Sequence, residues 1–152
     1  IASIYDGMGV TEDLTAKNND QIIDVTIGAL NDDSRGIIFS NLVDFDMLYG
    51  HRRDPFGYGK ALQEFDARLP QLLRLMQADD LLIIVADHGN DPTWKGSDHT
   101  RERIPILVHQ IGASPRSLGL RQTFSDIGQS IAAHLGLPPL AAGTSWLKEL
   151  PA

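Results

Sequence analysis

The chain contains no cysteine. Disulfide bridges and thiolate metal sites are thereby excluded, and any metal must be held by imidazole and carboxylate. The same absence fits a cytoplasmic protein. Long hydrophobic runs are also missing. No apolar stretch approaches the ~20 residues that a spanning helix needs, so no membrane partner is expected, and the opening residues do not read as a signal peptide. Basic charge is scarce, with 13 Lys and Arg against 20 Asp and Glu and a formal net charge of -7. Nucleic-acid binding requires a basic surface, so no nucleic-acid partner is expected. Part of the negative charge is accounted for if acidic side chains gather around bound cations.

What remains is an ordinary globular composition. The 152 residues are 42% apolar and 22% charged, which suits one domain with a sizeable core. Residues 81–86, LLIIVA, are apolar throughout and rich in β-branched side chains, the pattern of a strand buried on both faces. Shorter strand-like runs occur at residues 1–5, 37–43 and 104–109. Helical spacing recurs at residues 20–30, with Asn19 as the expected N-cap, and at residues 57–76, where Pro70 is expected to impose a kink or a break. A last helix is expected from Ser125, as its cap, to Leu135, stopped by Gly136. The apolar but unpatterned end of the chain reads as a docked tail around Trp146 and Leu147. Strands alternating with helices indicate a layered α/β domain with a mainly parallel sheet.

The chemistry gathers at strand ends, where ligand sites of parallel sheets lie. Asp87 and His88 directly follow residues 81–86, and the same pair returns eleven positions later as Asp98-His99. A polar loop over residues 44–55 supplies Asp46 and His51 after another strand-like run. One such pair is weak, but three clusters favour a divalent transition metal. The candidate ligands are Asp46, His51, Asp87, His88 and His99. A catalytic ion keeps a position open, so five ligands exceed the needs of one ion. Two ions about 4 Å apart, which clamp the attacking and leaving oxygens of a phosphoryl group, are the natural assignment. His109 and His134 lie outside the clusters and are expected not to bind metal. Arg52, Arg53 and Arg101 are placed either to meet phosphate oxygens or to hold ligand carboxylates. Trp94 is expected to pack, and Asp98 to act beside the ligands.

NLVDFDMLYGHRRD at residues 41–54 and ADHGNDPTWKGSDHTRERIP at residues 86–105 closely resemble the two metal-binding motifs of bacterial phosphopentomutases, members of the alkaline phosphatase superfamily. The likeness continues through RQTFSDIGQSIAAHLG at residues 121–136. It implies an isomerase that interconverts ribose 1-phosphate and ribose 5-phosphate, and their 2-deoxy analogues, with two Mn²⁺ ions and a phosphorylated threonine. Carried over by position, Asp46, His51 and His99 resemble the ligands of one manganese, and Asp87 and His88 those of the other.

The family's threonine nucleophile and first-strand aspartate have no counterpart here. Neither Thr93 nor Thr100 matches the nucleophile. The chain also opens at Ile1 and runs directly into a strand-like segment, as if cut from something larger. The resemblance therefore implies residues 1–152 as a single partial domain. Its fold would be a three-layer alkaline-phosphatase-like core, incomplete for want of N-terminal strands and cap domain. An exposed sheet edge would then favour self-association. The pentose phosphate is the expected substrate of the complete enzyme, and the isolated chain is expected to be inactive. Related phosphoglycerate mutases and phosphatases, or a non-catalytic metal-binding module that needs a partner chain, are the alternatives.

Overall fold

A computed structural model of the chain describes residues 5–32 and 35–150. The expected strand at residues 1–5 lies almost wholly outside them, and Tyr5 itself belongs to a turn. The chain divides into two compact units. One holds the residues up to Met76 together with Val85–Pro105, and the other holds Gln77–Ile84 with the residues from Ile106 onward.

In the first unit, α1 spans Asn19–Leu30 and α2 spans Pro55–Leu75. Asn18, not Asn19, caps α1, its side chain accepting from the backbone N–H of Gln21 at 2.9 Å. Asn19 is engaged elsewhere: it exchanges two hydrogen bonds with Asp44, at 2.8 and 3.0 Å. The start of α1 is thereby tied to the residues just before Asp46. Asp54 caps α2 by accepting from Gly57 N–H at 2.9 Å, and Pro55 follows at the first helical position, where its missing N–H costs nothing. Ile23 of α1 and Ala61 and Leu72 of α2 are buried, and Arg68 of α2 pairs with both Asp20 and Asp24 of α1.

Pro70 does not divide α2, which runs unbroken through it. Proline leaves the Asp66 carbonyl without its usual intrahelical donor. Both residues face solvent, where water can take the donor's place.

Two expectations about residues 37–55 are corrected. Residues 37–43 are not a strand, and Ile37, Ile38 and Phe39 are 62%, 48% and 66% exposed. A lone extended segment has no ladder to join among the described residues, so its β-branched composition is not enough to make it a strand. The supposed polar loop that follows is a π-helix, Phe45–Gly50.

In the second unit, β2 (Ile106–His109) pairs with β1 (Leu82–Val85), whose last residue is assigned to the first unit. Both strands are shorter than the apolar runs that announced them. The expected mainly parallel sheet is not what the described residues form: their sheet has two strands and is antiparallel. The chain between the strands runs out and back, crossed by an antiparallel bridge from Gly89 to Thr100.

Helix α3 spans Ser125–His134, with Phe124 rather than Ser125 at the cap position. Thr123 Oγ1 instead accepts from the Ser125 N–H at 3.2 Å. The end of α3 follows its sequence signal. Gly136 adopts φ +69°, its N–H bonds to Ala133 O at 3.2 Å, and Leu137 N–H bonds to Ala132 O at 2.8 Å. Those two reverse bonds close the helix in the manner that a left-handed glycine allows. The tail is docked as expected around Trp146, which is fully buried, and the Trp146 N–H reaches the equally buried Ser130 hydroxyl at 3.1 Å. Leu147–Glu149 add one 3-10 turn.

Candidate metal centre

The π-helix explains why Asp46 and His51 meet. They stand five positions apart, and the hydrogen bond that defines a π turn joins residues five apart. His51 N–H donates to Asp46 O at 2.9 Å. The two side chains rise from the same turn, and His51 Nε2 lies 3.1 Å from Asp46 Oδ2. His51 therefore follows a helical turn, not a strand.

The loop after β1 brings the other imidazoles to this turn. His99 Nε2 lies 3.3 Å from Asp46 Oδ1 and 3.1 Å from His51 Nε2. The rings of His88 and His99 stack with centroids 3.6 Å apart and planes 22° from parallel. Asp46, His88 and His99 each offer a ligand atom within 4.8 Å of the others. Gly89 is fixed by space: a Cβ there would stand 2.8 Å from Thr100 O and 2.9 Å from Glu102 N, blocking the bridge that folds His99 back.

Asp87 stands apart from this convergence. Its side chain is 84% exposed, and its carboxylate pairs with His88 at 3.6 Å. Asp98 contributes its carbonyl to Arg53. His109 and His134 do not belong to the cluster. Trp94 was expected to pack but is 58% exposed.

Hydrogen bonds around the cluster set its electrostatics. His51 Nδ1 lies 2.5 Å from Ser97 O, a carbonyl that can only accept. A neutral His51 therefore carries its proton on Nδ1, with the Nε2 lone pair facing Asp46 and His99. Carboxylate oxygens and imidazole lone pairs converging at about 3 Å repel unless a proton or a metal cation lies between them. One carboxylate with three imidazoles is a borderline donor set of the kind divalent transition ions take. The residues present therefore fit a metal.

Two neighbours are shifted from their ordinary values. Tyr58, packed on Phe45 at a ring distance of 5.6 Å, has its phenol pKa raised by burial and then by the Asp46 carboxylate. Asp91 is held below the usual carboxylate value, first by the Thr93 hydroxyl at 2.7 Å, then by the Thr93 N–H at 2.8 Å, with Arg53 adding to the effect.

Sequence reasoning left Arg53 with two roles, phosphate contact or carboxylate holding. Its guanidinium grips loop carbonyls. Asn90, whose amide donates to Asp46 Oδ1 at 2.5 Å, was not singled out at all. Its place two residues after His88 was the available signal.

An Asp/His cluster gathered from a π-turn and from the loop after a β-strand is a candidate divalent-metal site in an α/β protein. The Metalloenzyme superfamily model matches residues 2–139, and the chain belongs to that superfamily. Membership carries metal-dependent phosphoryl-transfer chemistry of the phosphoesterase and mutase type. Among the described residues, no helix is long and apolar enough to cross a membrane.

Proposed function

We propose that the chain is the metal-binding part of a phosphopentomutase, which isomerises ribose 1-phosphate and ribose 5-phosphate, and their 2-deoxy analogues, at a pair of manganese ions. The carrying observation is the convergence of Asp46, His51, His88 and His99 from two separate segments. Superfamily membership supports metal-dependent phosphoryl transfer, and the DMLYGHRRD and ADHG…DHTRE motifs narrow the substrate to a pentose phosphate.

In this reading Asp46, His51 and His99 hold one ion, and Asp87 and His88 the other. The stacking of His88 on His99 suits two ion sites about 4 Å apart. Bound ions would neutralise the phosphoryl oxygens and polarise the bond to phosphorus. The chain's own part is to aim the ligands. Asn90 donates to Asp46, and Ser97 O accepts from the His51 ring.

Neither nearby threonine matches the family's nucleophile position, and both hydroxyls are engaged within their own loop. The Thr93 hydroxyl donates to Asp91, and that of Thr100 donates to Glu102 while accepting from Asp91 N–H. A mutase needs a nucleophile to carry the phosphoryl group. We therefore assign that threonine to a polypeptide segment other than these residues, with the 152-residue chain binding metal but inactive by itself. The test is an assay with Mn²⁺ on ribose 1-phosphate and, separately, 3-phosphoglycerate, using the chain alone and joined to a threonine-bearing segment. Turnover by the chain alone would refute the assigned inactivity. Turnover of only the glycerate by the joined form would refute the pentose assignment.

A further inference from the structure

Arg53 has a left-handed backbone, φ +54°, uncommon for a residue with a Cβ. That turn aims its guanidinium back into the loop that carries His99. It donates to Gly50 O at 3.1 Å, Asp91 O at 2.9 Å, Asn90 Oδ1 at 2.8 Å, and the carbonyls of Gly96 and Asp98. All five acceptors are neutral oxygens, so the fork is occupied in holding backbone and one amide.

Three of these bonds reach the cluster, by two routes. Ser97 lies between Gly96 and Asp98, whose carbonyls Arg53 grips, and Ser97 O is the acceptor that fixes the His51 tautomer. Asn90 presents its oxygen to Arg53, so its NH₂ must face the other way, and it donates to Asp46 Oδ1. An amide turned end for end would set a carbonyl oxygen against the Asp46 carboxylate. Arg53 prevents this. Gly50 provides the room: a Cβ there would stand 2.6 Å from Asn90 Cγ and 3.1 Å from Asn90 Oδ1.

We propose that Arg53 and Asn90 are positioning residues for the metal centre, together setting the orientation of the Asp46 carboxylate and the tautomer of His51. The inference rests on the metal-binding reading above. Partners that orient metal ligands typically contribute about 10–100-fold in metal affinity.

The experiment titrates the metal-free 152-residue chain with Co²⁺, following its visible absorption, alongside thermal melts of the metal-free forms. Asn90→Leu keeps the side chain's shape and removes both of its bonds. We expect Co²⁺ binding about 10–100-fold weaker with a changed absorption band, while the metal-free protein melts with the wild type. Arg53→Met should weaken binding at least as much, and Arg53→Lys should not rescue it, because an ammonium cannot span acceptors so far apart.

Wild-type affinity and band shape in both Asn90→Leu and Arg53→Met, with binding lost in Asp46→Asn, would overturn the positioning role and leave the metal reading intact. A lowered melting temperature in both variants with an unchanged Co²⁺ band and affinity would show a structural role only, and would also overturn it. Failure of the wild type to bind Co²⁺, or Asp46→Asn binding as the wild type does, would overturn the metal reading itself.

Discussion

Replacing Gly143 with alanine should strike the second unit harder than its single methyl group suggests. Gly143 has φ +94°, a region that costs an L-residue about 1–2 kcal/mol. The new Cβ would press into the Ser125 carbonyl oxygen and lie 2.9 Å from Asp126 N, and both are backbone atoms at the start of α3. Neither can rotate away, so the segment from Gly143 must shift. Two nearby bonds then suffer: Thr144 N–H to the buried Asp126 carboxylate at 2.8 Å, and Trp146 N–H to Ser130 at 3.1 Å. At about 1 kcal/mol each, their loss added to the backbone cost gives roughly 2–5 kcal/mol. For a chain of this size that is roughly 5–20 °C in melting temperature.

The assay is thermal unfolding followed by tryptophan fluorescence, in which buried Trp146 reports the tail and exposed Trp94 gives little change. Gly128→Ala is the control. It lies within α3, where a Cβ would meet only Leu140 Cδ1 at an ordinary 3.7 Å. Helix propensity should make it more stable by about 0.5–1 kcal/mol. If Gly143→Ala melts within about 2 °C of the wild type, or if the control falls as far as the test, the packing argument is wrong.

Asp46→Asn should weaken Mn²⁺ binding by at least about 100-fold in an equilibrium titration, because the cluster's central anion is lost and an outer partner alone is worth up to that much. Gly50→Ala should also weaken it while leaving every ligand in place, since Asn90 must move off Asp46; wild-type affinity would count against the crowding described. Asn18→Ala should cost about 1 kcal/mol in denaturant unfolding through loss of the α1 cap. Asp91 releases its proton more readily in the folded chain than in the unfolded one, so its contribution is complete above the ordinary value of 3.8 and fades as pH falls through the lower folded value. Its carboxyl carbon should titrate below 3.8 by NMR, and Thr93→Val should move the midpoint upward.

Local signals that depend on neighbouring residues were legible in the sequence. Gly136 ends α3 as its position indicated, whereas the Asp54-Pro55 start of α2 was taken for loop, with the helix expected only from residue 57. The gathering of Asp46, His51, His88 and His99 was foreshadowed by the short-range recurrence of Asp and His, while Asp87 stands apart. What failed depended on partners or on unusual winding. Residues 37–43 have the composition of a strand, but pairing decides strands, and composition does not carry it. Asn19 and Asn18 are equally good caps on paper, and only the Asp44 contact separates them. The five-residue step from Asp46 to His51 looked like loop because neither a helix of ordinary pitch nor a strand puts such a pair on one side.

That step has a consequence for how the protein can be disabled. At the usual 100° per residue, positions five apart diverge by about 140°. Were residues 45–50 to tighten into a common α-coil, His51 would swing off Asp46 with every coordinating group still encoded. A lesion of that kind would be invisible to a check of the ligand residues alone, since the fault would lie in the pitch of one turn.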